Sequence, residues 1–215
     1  MFANRMEAGR LLAEKLLKYK KEKPVVIGLV RGGIPVAYEI AKLLESPLDV
    51  ALVKKLGAPF QEELAIGAIV DGKTPQVFLN DEIISHIDIP KEYINRITKE
   101  KLEEIRLREK IYRRGEDRVS VRDRVVVVVD DGIATGASMK VVLKALRLEK
   151  PKKIVVAAPV APPDTISLLE RDADEIIVLL TPGDFYAVGA FYKDFSQTSD
   201  EEVISLLGKV KLKSS

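Results

Sequence analysis

The residues best placed to do chemistry lie in one stretch: Val125-Val126-Val127-Val128-Val129-Asp130-Asp131-Gly132-Ile133-Ala134-Thr135-Gly136-Ala137-Ser138. An apolar strand runs into two carboxylates, a loop of small residues and the start of a helix. A helix start presents unpaired backbone N–H groups and the positive end of a dipole, which together favour a phosphate. Gly132, Gly136 and Ala137 let the backbone come close to that phosphate. Thr135 and Ser138 supply hydroxyl donors, and Ser138 is also a candidate helix cap. The adjacent carboxylates would repel a phosphate, so they need another reason. They fit a vicinal diol, whose hydroxyls donate charge-assisted hydrogen bonds to them. Successive side chains diverge, so one carboxylate can face the ligand while the other orients the loop or a metal-bound water. A phosphate and a diol on one small molecule describe ribose 5-phosphate. The plainer alternative is an Asp-Gly turn with Ser138 as an ordinary cap.

Other phosphate loops do not fit. The chain has no G-x-x-x-x-G-K-[ST] and no G-x-G-x-x-G, since Gly28, Gly32 and Gly33 are spaced wrongly. Asp130-Asp131 is not the D-x-D of an aspartyl-phosphate hydrolase. With no cysteine, thiolate catalysis, disulfides and cysteine-bound metals are excluded, and the lone His86 argues against a histidine cage or triad.

These residues need a buried scaffold, and the composition can supply one. The 215 residues are 47% hydrophobic and 32% charged, with a formal net charge of +2. That balance leaves no global field for nucleic acid. No apolar run approaches the roughly 18 residues of a membrane span, and Met1 to Arg10 carries charges in place of a signal-peptide core. The expectation is a cytoplasmic protein without membrane or nucleic-acid partners.

Periodicity predicts helices at Met6 to Tyr19, Ile34 to Leu44, Lys91 to Arg114, Ser138 to Leu148 and Pro163 to Arg171. Apolar β-branched runs predict buried strands at Val25 to Val30, Asp49 to Leu56, Val125 to Val129, Lys153 to Ala158 and Glu175 to Leu180. Ala65 to Val70 and Gln76 to Leu79 read as a strand pair around Asp71-Gly72. The alternation implies an α/β fold: a three-layer α/β/α sandwich with a mostly parallel sheet. Ligands of such sheets bind at the carboxyl ends of the strands.

Asp130 to Ser138, with the strand before it, resembles the phosphoribosyl-pyrophosphate motif of type I phosphoribosyltransferases. The resemblance extends in order along the chain. Val30-Arg31-Gly32-Gly33-Ile34-Pro35 is similar to the family's pyrophosphate loop. Leu52 to Gly67, with Lys54-Lys55-Leu56-Gly57-Ala58-Pro59, looks like an uncharacterised branch. Asp184-Phe185-Tyr186-Ala187-Val188-Gly189, followed by Asp194, is similar to the base-binding hood of purine enzymes. The resemblance implies a single domain over residues 1–215, with a mobile flap near 90–115 and a hood from about 1–20 and 182–215.

It also implies site roles. Asp130 and Asp131 would meet the ribose hydroxyls, or hydrated magnesium, and Gly132, Ile133 and Ala134 to Ser138 would wrap the 5-phosphate. Arg31, Gly32 and Gly33 would hold the pyrophosphate in a loop with a non-proline cis peptide. Lys54 or Lys55 would add charge there, so that Arg31, Lys54, Asp130 and Asp131 form the catalytic set. Phe185 or Tyr186 would stack on the base. Lys54-Lys55 also reads as a solvated strand end, and Arg113-Arg114 as a charged helix end.

The expected reaction moves ribose 5-phosphate from 5-phosphoribosyl-1-pyrophosphate to a nucleobase-like acceptor in nucleotide salvage, with Mg2+ as cofactor and a homodimer as assembly. The Asp of 6-oxopurine enzymes is Ala134 here, and the region of their base-reading Lys is Ala157-Ala158-Pro159. The resemblance therefore names no base. A regulatory sensor of the same sugar pyrophosphate is the alternative. A synthetase of that sugar takes two copies of the fold, which this length does not hold.

Overall fold

The structure is a computed structural model that describes residues 1–211. In chain order its first half comprises α1 (Arg5–Lys15), a 3-10 turn (Leu17–Glu22), β1 (Val25–Leu29), α2 (Gly33–Leu44), β2 (Leu48–Ala51), β3 (Val53–Ala58), β4 (Gln61–Val70), β5 (Gln76–Leu79), α3 (Asp81–His86) and α4 (Lys91–Arg113). The second half comprises β6 (Val125–Val129), α5 (Ala137–Leu148), β7 (Lys153–Val160), α6 (Pro163–Leu169), β8 (Glu175–Leu180), a second 3-10 turn (Val188–Phe191) and α7 (Asp200–Lys211). The parallel sheet has the order β2-β1-β6-β7-β8, and β3-β4-β5 form a separate antiparallel sheet. No helix among the described residues is long and apolar enough to cross a membrane.

β6 sits in the middle of the sheet because all its side chains are valines buried on both faces. The two-residue period divides them. Val125, Val127 and Val129 join Leu12, Leu16, Ile34 and Ile40 on one face. Val126 and Val128 join Met139, Val142, Leu143 and Leu146 on the other. These four α5 residues recur at helical spacing, so α5 covers that face with one stripe.

The stretch Asp49 to Leu56 is not one strand, as the sequence suggested. The chain leaves the parallel sheet at Leu52 and enters the antiparallel one at Val53. A buried ionic junction fixes the change. Arg113 Nε donates to Asp49 Oδ1 at 2.9 Å, and its Nη2 donates to Asp71 Oδ2 at 2.8 Å and to the Val50 carbonyl at 3.1 Å. Asp71 Oδ1 accepts from the Leu52 amide at 2.7 Å, and Asp49 Oδ2 from the Val119 amide at 2.9 Å.

The same junction lies at one end of the segment expected to form a flap near 90–115. Those residues form the continuous helix α4, whose end is anchored by buried Arg113 and by Tyr112, which donates to Asp200 Oδ1 at 2.6 Å. Arg113 therefore belongs to the core and not to a ligand, while Arg114 caps the helix with a left-handed backbone.

Residues expected in the hood do meet across the termini. The Phe2 amide donates to the Phe191 carbonyl at 2.8 Å, and Lys193 and Asp194 donate back to Phe2 and Ala3. Phe2, Ala8 and Tyr192 are buried together. Beyond this segment α7 turns away and packs against α2 and α4. Residues 212–215 of the expected hood lie outside the described residues.

The ionic contacts can be tested by stability. Arg113→Met removes the hydrogen-bonded cation from buried Asp49 and Asp71, leaving Asp71 only a 3.7 Å contact with Arg118, and urea unfolding should show a loss of about 3–5 kcal/mol. At the opposite edge, hydrogen bonds from Lys153, Lys18 and Tyr19 hold the Glu175 carboxyl down from 4.5 to about 2. A depressed folded-state value gives stability that is complete above 4.5 and fades as pH falls toward about 2. Glu175→Gln should cost about 1 kcal/mol at neutral pH, given the partial exposure of the group. It should also flatten the acid limb of a melting-temperature profile across that window.

Candidate functional site

At the carboxyl edge of the parallel sheet two loops touch. One joins β1 to α2 through Arg31 and Gly32, and its Val30–Arg31 peptide is cis. The other joins β6 to α5 through Asp130 to Gly136. Their spacing requires glycine: a Cβ on Gly32 would lie 2.0 Å from Asp131 Oδ2, and one on Gly33 would lie 2.7 Å from the Val129 carbonyl oxygen. The two glycines thus let the first loop lie against the end of β6.

The carboxylates have different surroundings. Asp130 Oδ1 accepts from the Asp131 amide at 2.9 Å. Burial, and then repulsion from Asp131, push the Asp130 carboxyl well above its ordinary range. Asp131 is also raised by burial, but Arg5 opposes the rise. Arg5 Nε donates to Asp131 Oδ2 at 2.7 Å, with the two side chains only 11% and 13% exposed. Arg5 also donates to the Ser196 carbonyl at 2.7 Å, and its guanidinium lies 3.8 Å from the centre of the Phe195 ring. The Tyr192 hydroxyl donates to the Asp131 carbonyl at 2.5 Å. Asp131 is therefore a junction between the loop and the paired termini, whereas Asp130 makes no ion pair.

The rest of the loop is built around backbone. Gly132 is needed because a Cβ there would meet Val188 at 2.4 Å, and Gly136 because its φ is +74°. The sequence assigned both to close phosphate approach, so the packing of Val188 is an additional role. The Thr165 hydroxyl donates to the Ala134 carbonyl at 2.5 Å and pins the loop from α6. Ser138 does not cap α5. The cap position is Gly136, with no side-chain acceptor, and Thr135 Oγ1 stands 3.4 Å from the Ala137 amide. Ala137 and Ser138 are exposed. The first turn of this twelve-residue helix so presents N–H groups and a positive dipole end to solvent, beside the hydroxyls of Thr135 and Ser138. Gly32 likewise caps α2 without a side-chain bond.

The expected cations part company. Along β3 successive side chains alternate, so Lys54 and Lys55 point to opposite faces. Lys54 pairs with Glu104 of α4 at 2.8 Å. Exposed Lys55 lines a groove with Ala137, Ser138 and Lys140 of α5. Arg31 Nη1 lies 3.7 Å from Asp200 Oδ1. Of the expected base-stacking residues, Phe185 already stacks on Phe191 with centroids 5.6 Å apart, and Tyr186 is 93% exposed.

Magnesium fits this donor set in one manner. Among the described residues no group of three or more histidine, cysteine or acidic side chains forms a metal cage. Asp130 and Asp131 offer hard carboxylate oxygens, and magnesium is commonly held by one or two carboxylates, water and substrate phosphates.

Sequence reasoning missed Arg5, Tyr192, Thr165 and Asp200 as site residues. Arg5 lies 126 positions from its partner, in an ordinary amphipathic helix, and no local pattern marks it.

Comparison with known proteins agrees with this architecture. The chain is 43% identical over 209 residues to a Mycobacterium tuberculosis protein whose name places it provisionally among the phosphoribosyl transferases. That alignment covers 97% of this chain and 47% of the relative, so the chain spans about half the length of the curated relatives it matches. The crystal structure of the protein TT1426 from Thermus thermophilus superposes with a TM-score of 0.83 at 41% identity, covering 97% of this chain and 98% of that one. Residues 3–192 match the family described as the phosphoribosyl transferase domain, and the chain belongs to that family.

Proposed function

We propose that the protein transfers ribose 5-phosphate from 5-phosphoribosyl-1-pyrophosphate to a nitrogen nucleophile. One observation carries this reading: the N-terminus of α2, without a side-chain cap, lies against the Asp130-Asp131 pair, and the loop from that pair leads into the equally uncapped N-terminus of α5. Two anion sites flanking a diol acceptor match a ribose with phosphate at one end and pyrophosphate at the other.

In this reading the α5 amides and the hydroxyls of Thr135 and Ser138 take the 5-phosphate. Asp130 accepts from the ribose hydroxyls. Arg31 and the α2 N-terminus take the pyrophosphate, where negative charge grows as the bond to the anomeric carbon breaks. The leaving oxygen keeps the bonding pair, and the nucleophile donates a pair to the carbon as the ring passes through an oxocarbenium-like state. Magnesium held by Asp130 and Asp131 would neutralise part of the leaving-group charge. The acceptor would approach from the side of Phe185, Tyr186 and Val188. Lys55, which faces the α5 N-terminus, adds charge near the 5-phosphate, while Lys54 is committed to Glu104.

Calorimetric titration of 5-phosphoribosyl-1-pyrophosphate with magnesium tests the reading. Wild type should bind at micromolar concentration. Asp130→Asn should weaken binding by about 10- to 100-fold, the worth of a charge-assisted hydrogen bond. Absence of binding by folded wild type would sink the reading. In the same assay Lys55→Met should weaken binding by about two- to fivefold and more than Lys54→Met does. The reverse order would return Lys54 to the site.

A further inference from the structure

The charge of Arg31 is only loosely held. Its 3.7 Å contact with Asp200 is too long for a hydrogen bond, and its side chain makes no other polar contact among the described residues. The guanidinium thus keeps its five donors beside the N-terminus of α2. Asp200 is held firmly by other groups. The Tyr112 hydroxyl donates to Oδ1 at 2.6 Å, and Arg108 Nη1 donates to Oδ2. Both come from α4, and Asp200 opens α7. These bonds do not depend on Arg31, so the joint between α4 and α7 persists if Arg31 leaves. They also favour the ionised carboxylate.

Resting on the transferase reading above, we infer that Asp200 is a standby counter-ion for Arg31. It holds the guanidinium while no pyrophosphate is present, yields it to the leaving group, and takes it back when pyrophosphate departs. The exchange follows from the relative strength of the contacts. Pyrophosphate carries several negative charges and accepts bidentate bonds from a planar guanidinium. One carboxylate oxygen at 3.7 Å offers much less. The same carboxylate repels pyrophosphate and competes for its cation, so Asp200 weakens product binding and speeds release. It is a positioning residue, since it acts through Arg31. Glu201 also lies within reach of the Arg31 charge, but it is fully exposed and more strongly screened.

The experiment titrates inorganic pyrophosphate with magnesium into wild type, Asp200→Asn, Arg31→Gln and the double variant, with thermal melting of each. Asparagine keeps an oxygen for Tyr112, so the joint should remain folded. Asp200→Asn should bind pyrophosphate about two- to fivefold more tightly, and the gain should vanish in the Arg31→Gln background. Asp200→Ser, which also removes the charge, is the second variant and must shift affinity the same way. Unchanged or weaker binding by the folded variants overturns the inference. So does an equal gain without Arg31, because that would be a general field effect. If wild type binds pyrophosphate and Asp200 has no influence, only the counter-ion role fails. If wild type binds neither pyrophosphate nor the sugar donor, the transferase reading fails with it.

Discussion

The cleft depends on how closely the turn after β1 can lie against the end of β6. With any side chain at position 32 the Asp131 carboxylate would be struck, and with any at position 33 the backbone of Val129 and Asp130 would be. That contact brings the N-terminus of α2 against the carboxylates whose loop leads into α5. Neither helix start alone would define a ligand. In the proposed reading they serve the phosphate and the pyrophosphate of one sugar. The sheet makes this possible because β1 and β6 are adjacent, parallel and buried on both faces. Their loops therefore leave the same edge with little freedom.

Placing two carboxylates side by side at a buried strand end has a cost, which the protein meets unequally. Burial raises both carboxyls, and among the described residues Asp131 alone is ion-paired, to Arg5. An Arg5 held by a carboxylate, a carbonyl and an aromatic ring has little reason to move. The unpaired Asp130 is then the carboxylate with most to gain from ligand hydroxyls or a metal ion.

What could be read from the sequence was local. The valine run, the small-residue loop and the α5 stripe are contiguous, and their physics is decided within a few residues. The break at Leu52 was not legible, because an apolar run from Val50 to Val53 continues across it. Asp49, Asp71 and Arg113 come together there from three distant segments. The polar stretch 90–115 suggested mobility for a similar reason. Its anchors, Tyr112 and Arg113, find their partners in distant segments. The choice between Lys54 and Lys55 followed from strand alternation, but alternation cannot say which face meets α5 until the second sheet is placed.

The distribution of polar groups bears on what the acceptor must be. The 5-phosphate and pyrophosphate ends are provided with amides, hydroxyls and Arg31. In that reading the acceptor side is formed by Phe185, Tyr186 and Val188 with exposed Ala134, whereas Ala157 and Ala158 are buried in the core. A site that recognises a polar ring edge carries buried donors or acceptors placed for it, and leaves them unpaired when the wrong ring enters. These side chains provide an aromatic hydroxyl at an exposed position and otherwise apolar surface. Discrimination in the proposed reading would therefore come from shape and stacking on the described residues.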